Sequence, residues 1–305
     1  MLPLKAIKKI NNHMCLNFVF IASTKIYIYP MYIFLKMLSF FLRISPKFLN
    51  KFTYKCFYNL LFHLLKMRKK VVLNNLGRAF PDKEEEWYHN LAAHSYKFAV
   101  KDFLDFISFP RHFKKEEIHF NNIEILDNAL KKKKGVIFVS GHFGNFEKMF
   151  YALGNKGYSI CGVAKKQKRG DNFFKEIREN YMERQIYKGG EKSGLKNALN
   201  NNEILILLSD QDSRKKGRVV KFFGIPSSTP SGAAILNKRM GSPIIFFSIV
   251  KDVKGYSVNF KEINSNNSLS IDETVQAYTL EIEKTIQKNP EQYFWFHKRW
   301  KTSHS

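Results

Sequence analysis

The spacing of apolar positions changes character along the chain. From Met14 to Leu42 the sequence is dense in Phe, Ile, Leu, Tyr and Met, broken by Lys25, Pro30 and Lys36. A membrane-crossing helix needs about 20 consecutive apolar residues, and the uncharged pieces Met14 to Thr24 and Ile26 to Leu35 each reach roughly half of that. Lysines near an interface can snorkel, and a proline is tolerated inside a membrane helix. The stretch therefore predicts a helical membrane anchor, as an imperfect span or an interfacial helix. A helical hairpin buried in a soluble domain would share this composition. No small-residue cleavage site follows, so a removed secretory signal is not expected. A second amphipathic piece, Phe52 to Leu65, runs into Lys66-Met-Arg-Lys-Lys70, a pairing that suits an anionic leaflet or a solvated helix end.

Between Asp82 and Ile107, Trp87, Leu91, His94, Phe98, Phe103 and Phe106 recur at helical spacing. After Pro110 short β-branched runs appear: Val136 to Ser140, Ser159 to Ala164, Ile204 to Ser209 and Pro243 to Val250. Helical patterns alternate with them at Phe146 to Leu153, Phe173 to Arg184, Ser228 to Arg239 and Ile271 to Gln287. This alternation predicts an α/β fold with a mostly parallel central sheet flanked by helices. The expected division is 1–70 for the anchor and interfacial helices and 71–305 for the domain that carries the chemistry. No internal repeat is visible.

At 305 residues the chain can bury one full α/β core. Lys and Arg total 51 against 26 Asp and Glu, a net charge of +25. Such a field favours nucleic acid, an anionic membrane, a phosphorylated lipid or an acidic carrier protein, unless it is simply a lysine-rich solvated surface. The aromatic residues lie in apolar helical runs and no nucleic-acid module signature is present, so nucleic acid is not the expected partner. Cys15, Cys56 and Cys161 have no CxxC spacing, which argues against a disulfide framework or a zinc site. Neither a metal nor another cofactor is expected.

A histidine followed five positions later by a carboxylate occurs three times: His112 with Glu117, His119 with Glu124, and His142 with Glu147. Spacing alone selects none of them. The first two lie in a charged stretch with no strand before it. His142 follows a predicted buried strand, between Gly141 and Gly144, where a helix should begin. Ligands of open α/β sheets bind at the carboxyl ends of strands, and glycines there permit tight turns and close approach of a substrate. Amides at a helix start can hold developing negative charge. An alcohol needs a base to become a nucleophile near neutral pH, and imidazole has the right affinity for the proton. Glu147 is the expected partner of the far ring nitrogen, fixing the tautomer and stabilising the imidazolium. With no Ser or Cys nucleophile evident nearby, direct attack by a substrate hydroxyl is the expected chemistry. A helix-capping histidine is the plain structural alternative.

These residues resemble the lipid A biosynthesis acyltransferases of the lauroyl/myristoyl type, from about Met67 to Lys301 and in family order. Asn74-Asn-Leu-Gly-Arg-Ala-Phe80-Pro81 is similar to the family's N-terminal element, and Gly141-His-Phe-Gly-Asn-Phe-Glu147 to its catalytic block. Ser209-Asp210-Gln211, then Val220 to Gly224 and Thr229, follow in register, and Pro290 through Trp295 with His297, Arg299, Trp300 and Lys301 resembles the closing element. The resemblance implies an acyl carrier protein thioester as donor and a hydroxyl of a lipid A precursor as acceptor, in late secondary acylation. It also implies attachment to the anionic inner membrane, with the active site on the cytoplasmic side. His142 and Glu147 take the catalytic roles.

Asn145, Lys165, Arg178, Asp210, Gln211 and Arg299 are the candidate substrate-binding residues. For Asp210 and Arg178 a role in holding the active-site loops is the alternative, and for the closing segment, an ordinary docked tail. Lys165 departs from the arginine usual in relatives and lacks its bidentate fork, which puts the acceptor in question. Another glycolipid or a glycerophospholipid is the alternative acceptor. Glycerophospholipid acyltransferases share the His–acid spacing, but Phe222 to Pro230 stands where their Glu-Gly-Thr-Arg-Ser-like phosphate block would be.

Overall fold

A computed structural model describes residues 30–113, 117–190, 192–266 and 268–302. Its centre is a seven-stranded sheet in the order β1-β9-β8-β2-β5-β3-β4. The strands are β1 (Ile118–Asn121), β2 (Val136–Ser140), β3 (Ile160–Ala164), β4 (Arg184–Tyr187), β5 (Ile204–Leu208), β8 (Ile244–Lys251) and β9 (Tyr256–Ile263). β2 pairs in parallel with β5 on one side and β8 on the other, and all five of its residues are buried. A strand covered on both faces has no polar side to alternate with, hence the continuous run Val-Ile-Phe-Val-Ser. Only β8 and β9 pair antiparallel within this sheet. The mostly parallel sheet predicted from the sequence is therefore present. β6 (Arg218–Phe222) and β7 (Ile225–Thr229) form a separate antiparallel hairpin.

The chain begins its described course with α1 (Pro30–Ile44), α2 (Lys47–Asn59), a π-helical turn at Leu60–Leu64, α3 (Lys69–Ala79) and the long α4 (Glu85–Ile107). Five helices follow along the sheet: α5 (Glu124–Lys131), α6 (Phe146–Asn155), α7 (Asp171–Arg178), α8 (Lys192–Asn200) and α9 (Gly232–Met240). α10 (Ile271–Lys288) opens on a capping box between Ser270 and Glu273. Two apolar clusters form the core, and the inward residues of β2 divide between them: Ile137 and Val139 to one, Val136 and Phe138 to the other.

The expected N-terminal anchor is corrected in one respect. Its first part, Met14 to Tyr29, lies outside the described residues, and among the described residues no helix is long and apolar enough to cross a membrane. α1 has 15 residues and buries Leu35, Ser39 and Leu42 against the rest of the fold. α1 and α2 are tied to the domain by polar contacts. Lys36 meets Glu176 at 2.6 Å, Tyr54 donates to Asp105 at 2.6 Å, and Arg111 donates to the carbonyls of Leu42 and Arg43 at 2.8 Å each.

Two other expectations shift. The helix expected over Phe173 to Arg184 ends at Arg178, and its last residue instead opens β4 at the sheet edge. The helix expected from Ser228 begins at Gly232, because Ser228 and Thr229 close β7 and Pro230 cannot donate in a continuing ladder.

Candidate active site

The register of the sheet brings the key pair together. Ser140, the last residue of β2, lies opposite Leu208, the last of β5. His142 and Asp210 each stand two residues beyond those partners, so both leave the carboxyl edge of the sheet at adjacent points. Asp210 accepts from His142 Nδ1 at 2.7 Å and from the His142 backbone N–H at 3.0 Å. Asp210 is 3% exposed, whereas the imidazole keeps 26% of its side-chain surface open. The carboxylate is thus the buried half of the pair and the ring is the accessible half. With Nδ1 held by Asp210, Nε2 is the ring nitrogen left for chemistry.

The loop is built for this. Gly144 has φ +57°, and a Cβ there would meet the Ile249 carbonyl oxygen at 1.8 Å, so the chain can pass only as glycine. The Gly144 N–H donates to the Gln292 carbonyl at 3.0 Å, and Phe294 N–H donates to the His142 carbonyl at 2.9 Å. The closing segment after α10 thereby clamps the histidine loop from above. Asn75 of α3 holds that same segment, donating to the carbonyls of Trp295 at 2.8 Å and His297 at 2.6 Å. The four motif pieces recognised in the sequence converge here.

Electrostatics follow from the geometry. Burial pushes His142 towards neutrality, but the Asp210 carboxylate outweighs it, and the imidazole pKa lies above its ordinary value. Burial works against ionised Asp210 as well, yet the His142 charge and hydrogen bonds prevail, and its pKa falls to about 2. Each partner thus stabilises the charged form of the other.

Glu147 corrects the sequence expectation. It is 6% exposed, in the first turn of α6, but it is not bonded to His142. Its Oε1 accepts from Arg178 Nε at 2.8 Å and Nη2 at 2.5 Å, and its Oε2 accepts from Tyr181 Oη at 2.6 Å. The second residue of α6 points at Arg178, the last residue of α7. The ring nitrogen instead meets Asp210, a contact set by strand register across 68 residues.

Both His142 and Glu147 line one cavity of about 430 Å³, walled by Phe98, Phe103, Phe106, Phe146, Phe174 and Phe294. Arg178 lines it too, its remaining Nη1 donating to Gln185 at 3.0 Å. An adjoining cavity of about 660 Å³ shares Ala99, Phe103 and Phe294 with the first and is lined almost entirely by apolar residues, with Arg68 and His297 as its polar members.

The other candidates fare differently. Asn145 is fully buried and caps α6, its Oδ1 accepting from Lys148 N–H at 2.8 Å. Lys165 is exposed just past β3, and its carbonyl accepts from Gln167, which does line the cavity. Gln211 is half-buried and does not line the cavity. Arg299, expected at substrate, is 2% exposed and donates to Ser228 O and Thr229 Oγ1, with its guanidinium 4.8 Å from the Phe222 ring. It pins the β6–β7 hairpin. The closing segment is a docked tail, with Trp295 and Trp300 also buried. Sequence reasoning missed Tyr181, which belongs to no motif, and gave Gln292 and Phe294 no role beyond membership of the closing element. A tyrosine three residues beyond Arg178, on the turn leaving α7, was the one available hint for the first.

A buried carboxylate steering an open imidazole, over an aromatic-walled cavity beside a second apolar one, equips this molecule to take a proton from a polar group on a largely hydrocarbon substrate. Comparison with known proteins specifies the class. The chain belongs to the family of bacterial lipid A biosynthesis acyltransferases, whose sequence model matches residues 21–302. It is similar to a lipid A biosynthesis palmitoleoyltransferase of Escherichia coli (strain K12) and a lipid A biosynthesis acyltransferase of Shigella flexneri. Each is 23% identical over 252 residues, covering 78% of this chain and 80% of the relative. The protein is thus an acyltransferase of lipid A biosynthesis.

Proposed function

We propose that the protein transfers a fatty acyl chain from an acyl carrier protein thioester to a hydroxyl of a lipid A precursor, as a late secondary acylation. His142 Nε2 takes the proton as the hydroxyl attacks the thioester carbonyl, and the resulting imidazolium is stabilised by Asp210. Collapse of the tetrahedral intermediate expels the thiol, which leaves with the proton from His142. Glu147, itself bound by Tyr181, holds Arg178 at the cavity wall, so it acts on the site through that arginine.

The observation that carries this reading is the His142–Asp210 pair standing open on an aromatic-walled cavity next to a larger apolar one. A base is of use where a hydroxyl must be activated, and two neighbouring apolar spaces suit a reaction between two acyl-bearing partners.

The anionic inner membrane is the proposed setting, with the catalytic domain on its cytoplasmic face. Phe34, Met37, Phe40 and Ile44 of α1, Phe48 and Phe52 of α2, and Leu64 and Leu65 beyond them are exposed apolar side chains. Exposed Lys47, Lys51, Lys55, Lys66 and Lys70 stand among them. Apolar residues beside cations match the chemistry of an anionic bilayer surface.

The test is mass spectrometry of lipid A from cells lacking the gene and complemented with wild type or His142→Ala. One secondary acyl chain should be missing without the gene, restored by wild type and still missing with the variant. Normal acylation by His142→Ala overturns the role given to the imidazole.

A further inference from the structure

The cavity-facing stripe of α4 contains a residue that apolar packing does not explain. Ala99, Asp102, Phe103 and Phe106 recur at helical spacing and line the site cavity, three of them apolar. The polar side chains around them are mostly engaged: His142 by Asp210, Glu147 by Arg178 and Tyr181, Arg178 by Glu147 and Gln185, and Gln292 by the Lys251 backbone. Among the described residues lining this cavity, Asp102 alone carries a buried side-chain oxygen, Oδ1, with no hydrogen-bond partner. Buried polar atoms are mostly paired, and of those left unpaired among the described residues this one belongs to a residue lining the cavity, where a turn of the carboxyl about Cβ–Cγ presents it to a ligand.

We propose that Asp102 is a substrate-binding residue whose carboxyl receives the amide or ester group of an acyl-bearing substrate lying in the cavity. The inference rests on the acyl-transfer reading above and deepens it. The charged groups facing Asp102 limit what it can hold. Lys101 and Asp105 of its own helix are paired with each other, Glu147 and Lys148 come from α6, and Arg178 from α7 lines the same space. Burial, then the Asp105 and Glu147 carboxylates, push the Asp102 carboxyl well above its ordinary range, while Lys101 and Lys148 oppose them. A neutral carboxyl both donates and accepts, which matches a carbonyl-bearing linkage and does not match a phosphate needing cations. Such linkages occur in both substrates: amides in the pantetheine arm of a carrier-protein thioester, and acyl linkages in the lipid acceptor.

Steady-state kinetics of full-length Asp102→Leu and Asp102→Asn, varying each substrate separately, tests this. Asp102→Leu should raise KM for one substrate about tenfold, the weight of one lost buried hydrogen bond, with kcat little changed. The substrate whose KM moves identifies whether the captured linkage belongs to donor or acceptor. Because the leucine replaces an unpaired polar atom, its thermal midpoint should be unchanged or higher. Asp102→Asn, whose amide also donates and accepts, should stay near the wild-type KM. If ionisation of Asp102 weakens binding as pH rises, Asp102→Asn should lose that pH dependence of KM. The proposal is overturned if Asp102→Leu leaves both KM values within about twofold, if it lowers the midpoint without moving KM, or if Asp102→Asn behaves as the leucine does. Should Asp102→Leu fail to fold, the pH profile of Asp102→Asn decides. A wild-type protein without acyl transfer would refute the proposed function instead.

Discussion

An imidazole that must accept a proton is useful only while uncharged, and two neighbours decide when that is. Burial favours the neutral ring, and Asp210 favours the imidazolium more strongly. The sign for the reaction follows: with the folded pKa raised, the competent neutral fraction grows as pH climbs through it, giving kcat/KM an acid limb. Asp210→Asn removes the charge, so the His142 pKa should drop and the limb should move to lower pH. The plateau rate should fall by about a hundredfold or more, because an amide no longer stabilises the imidazolium or fixes the tautomer. Glu147→Gln should move the limb less, since Glu147 acts on the ring only at a distance while it binds Arg178 and Tyr181 directly. The pH profiles of the two variants separate the carboxylates, and the reverse ranking would return to Glu147 the partnership expected from sequence.

Loop and strand geometry explain why that expectation missed. Strand β2 was legible because total burial leaves an unbroken apolar run, and His142 was legible because it follows that run between glycines. Glu147 lies near in sequence but faces α7, while Asp210 is distant in sequence and arrives through the pairing of Ser140 with Leu208. Register between strands leaves no mark in the local pattern. β9 was missed for a related reason: Asn259, Lys261 and Glu262 interrupt its buried positions, so it carries no hydrophobic run. Arg299 looked like a cation for substrate, yet its partners are the Ser228 carbonyl and the Thr229 hydroxyl, at the end of a hairpin whose last two residues were read as helix. At this scale Gly144 is the most exacting position. Gly144→Ala should cost about 2 kcal/mol or more of stability, from the left-handed backbone and the Ile249 carbonyl that fills the Cβ position. Activity should fall further than stability, because the same loop carries His142. Thermal unfolding together with kcat at a permissive temperature checks both, and a fully active, unshifted variant would show that the loop has room to move.

Across the whole molecule, charge and apolar exposure coincide in a way that a solvated lysine-rich surface would not require. A net charge of +25 draws any anionic surface, but attraction between exposed charges fades with salt over about 10 Å at 0.1 M ionic strength. Exposed Phe48, Phe52, Leu64 and Leu65 add a term that salt does not screen. Full-length protein should therefore bind vesicles containing anionic phospholipid with a salt-sensitive and a salt-resistant part, and bind neutral vesicles through the second alone. Replacing Phe48 and Phe52 together by Glu should remove most of the salt-resistant part, since apolar area is lost and negative charge is turned towards the lipid headgroups. Neither side chain is in the core, so thermal stability should hardly change. Vesicle flotation at low and high salt measures this. If the double variant floats as the wild type does in high salt, α2 is not part of the surface that meets the membrane, and attachment must come from elsewhere in the chain.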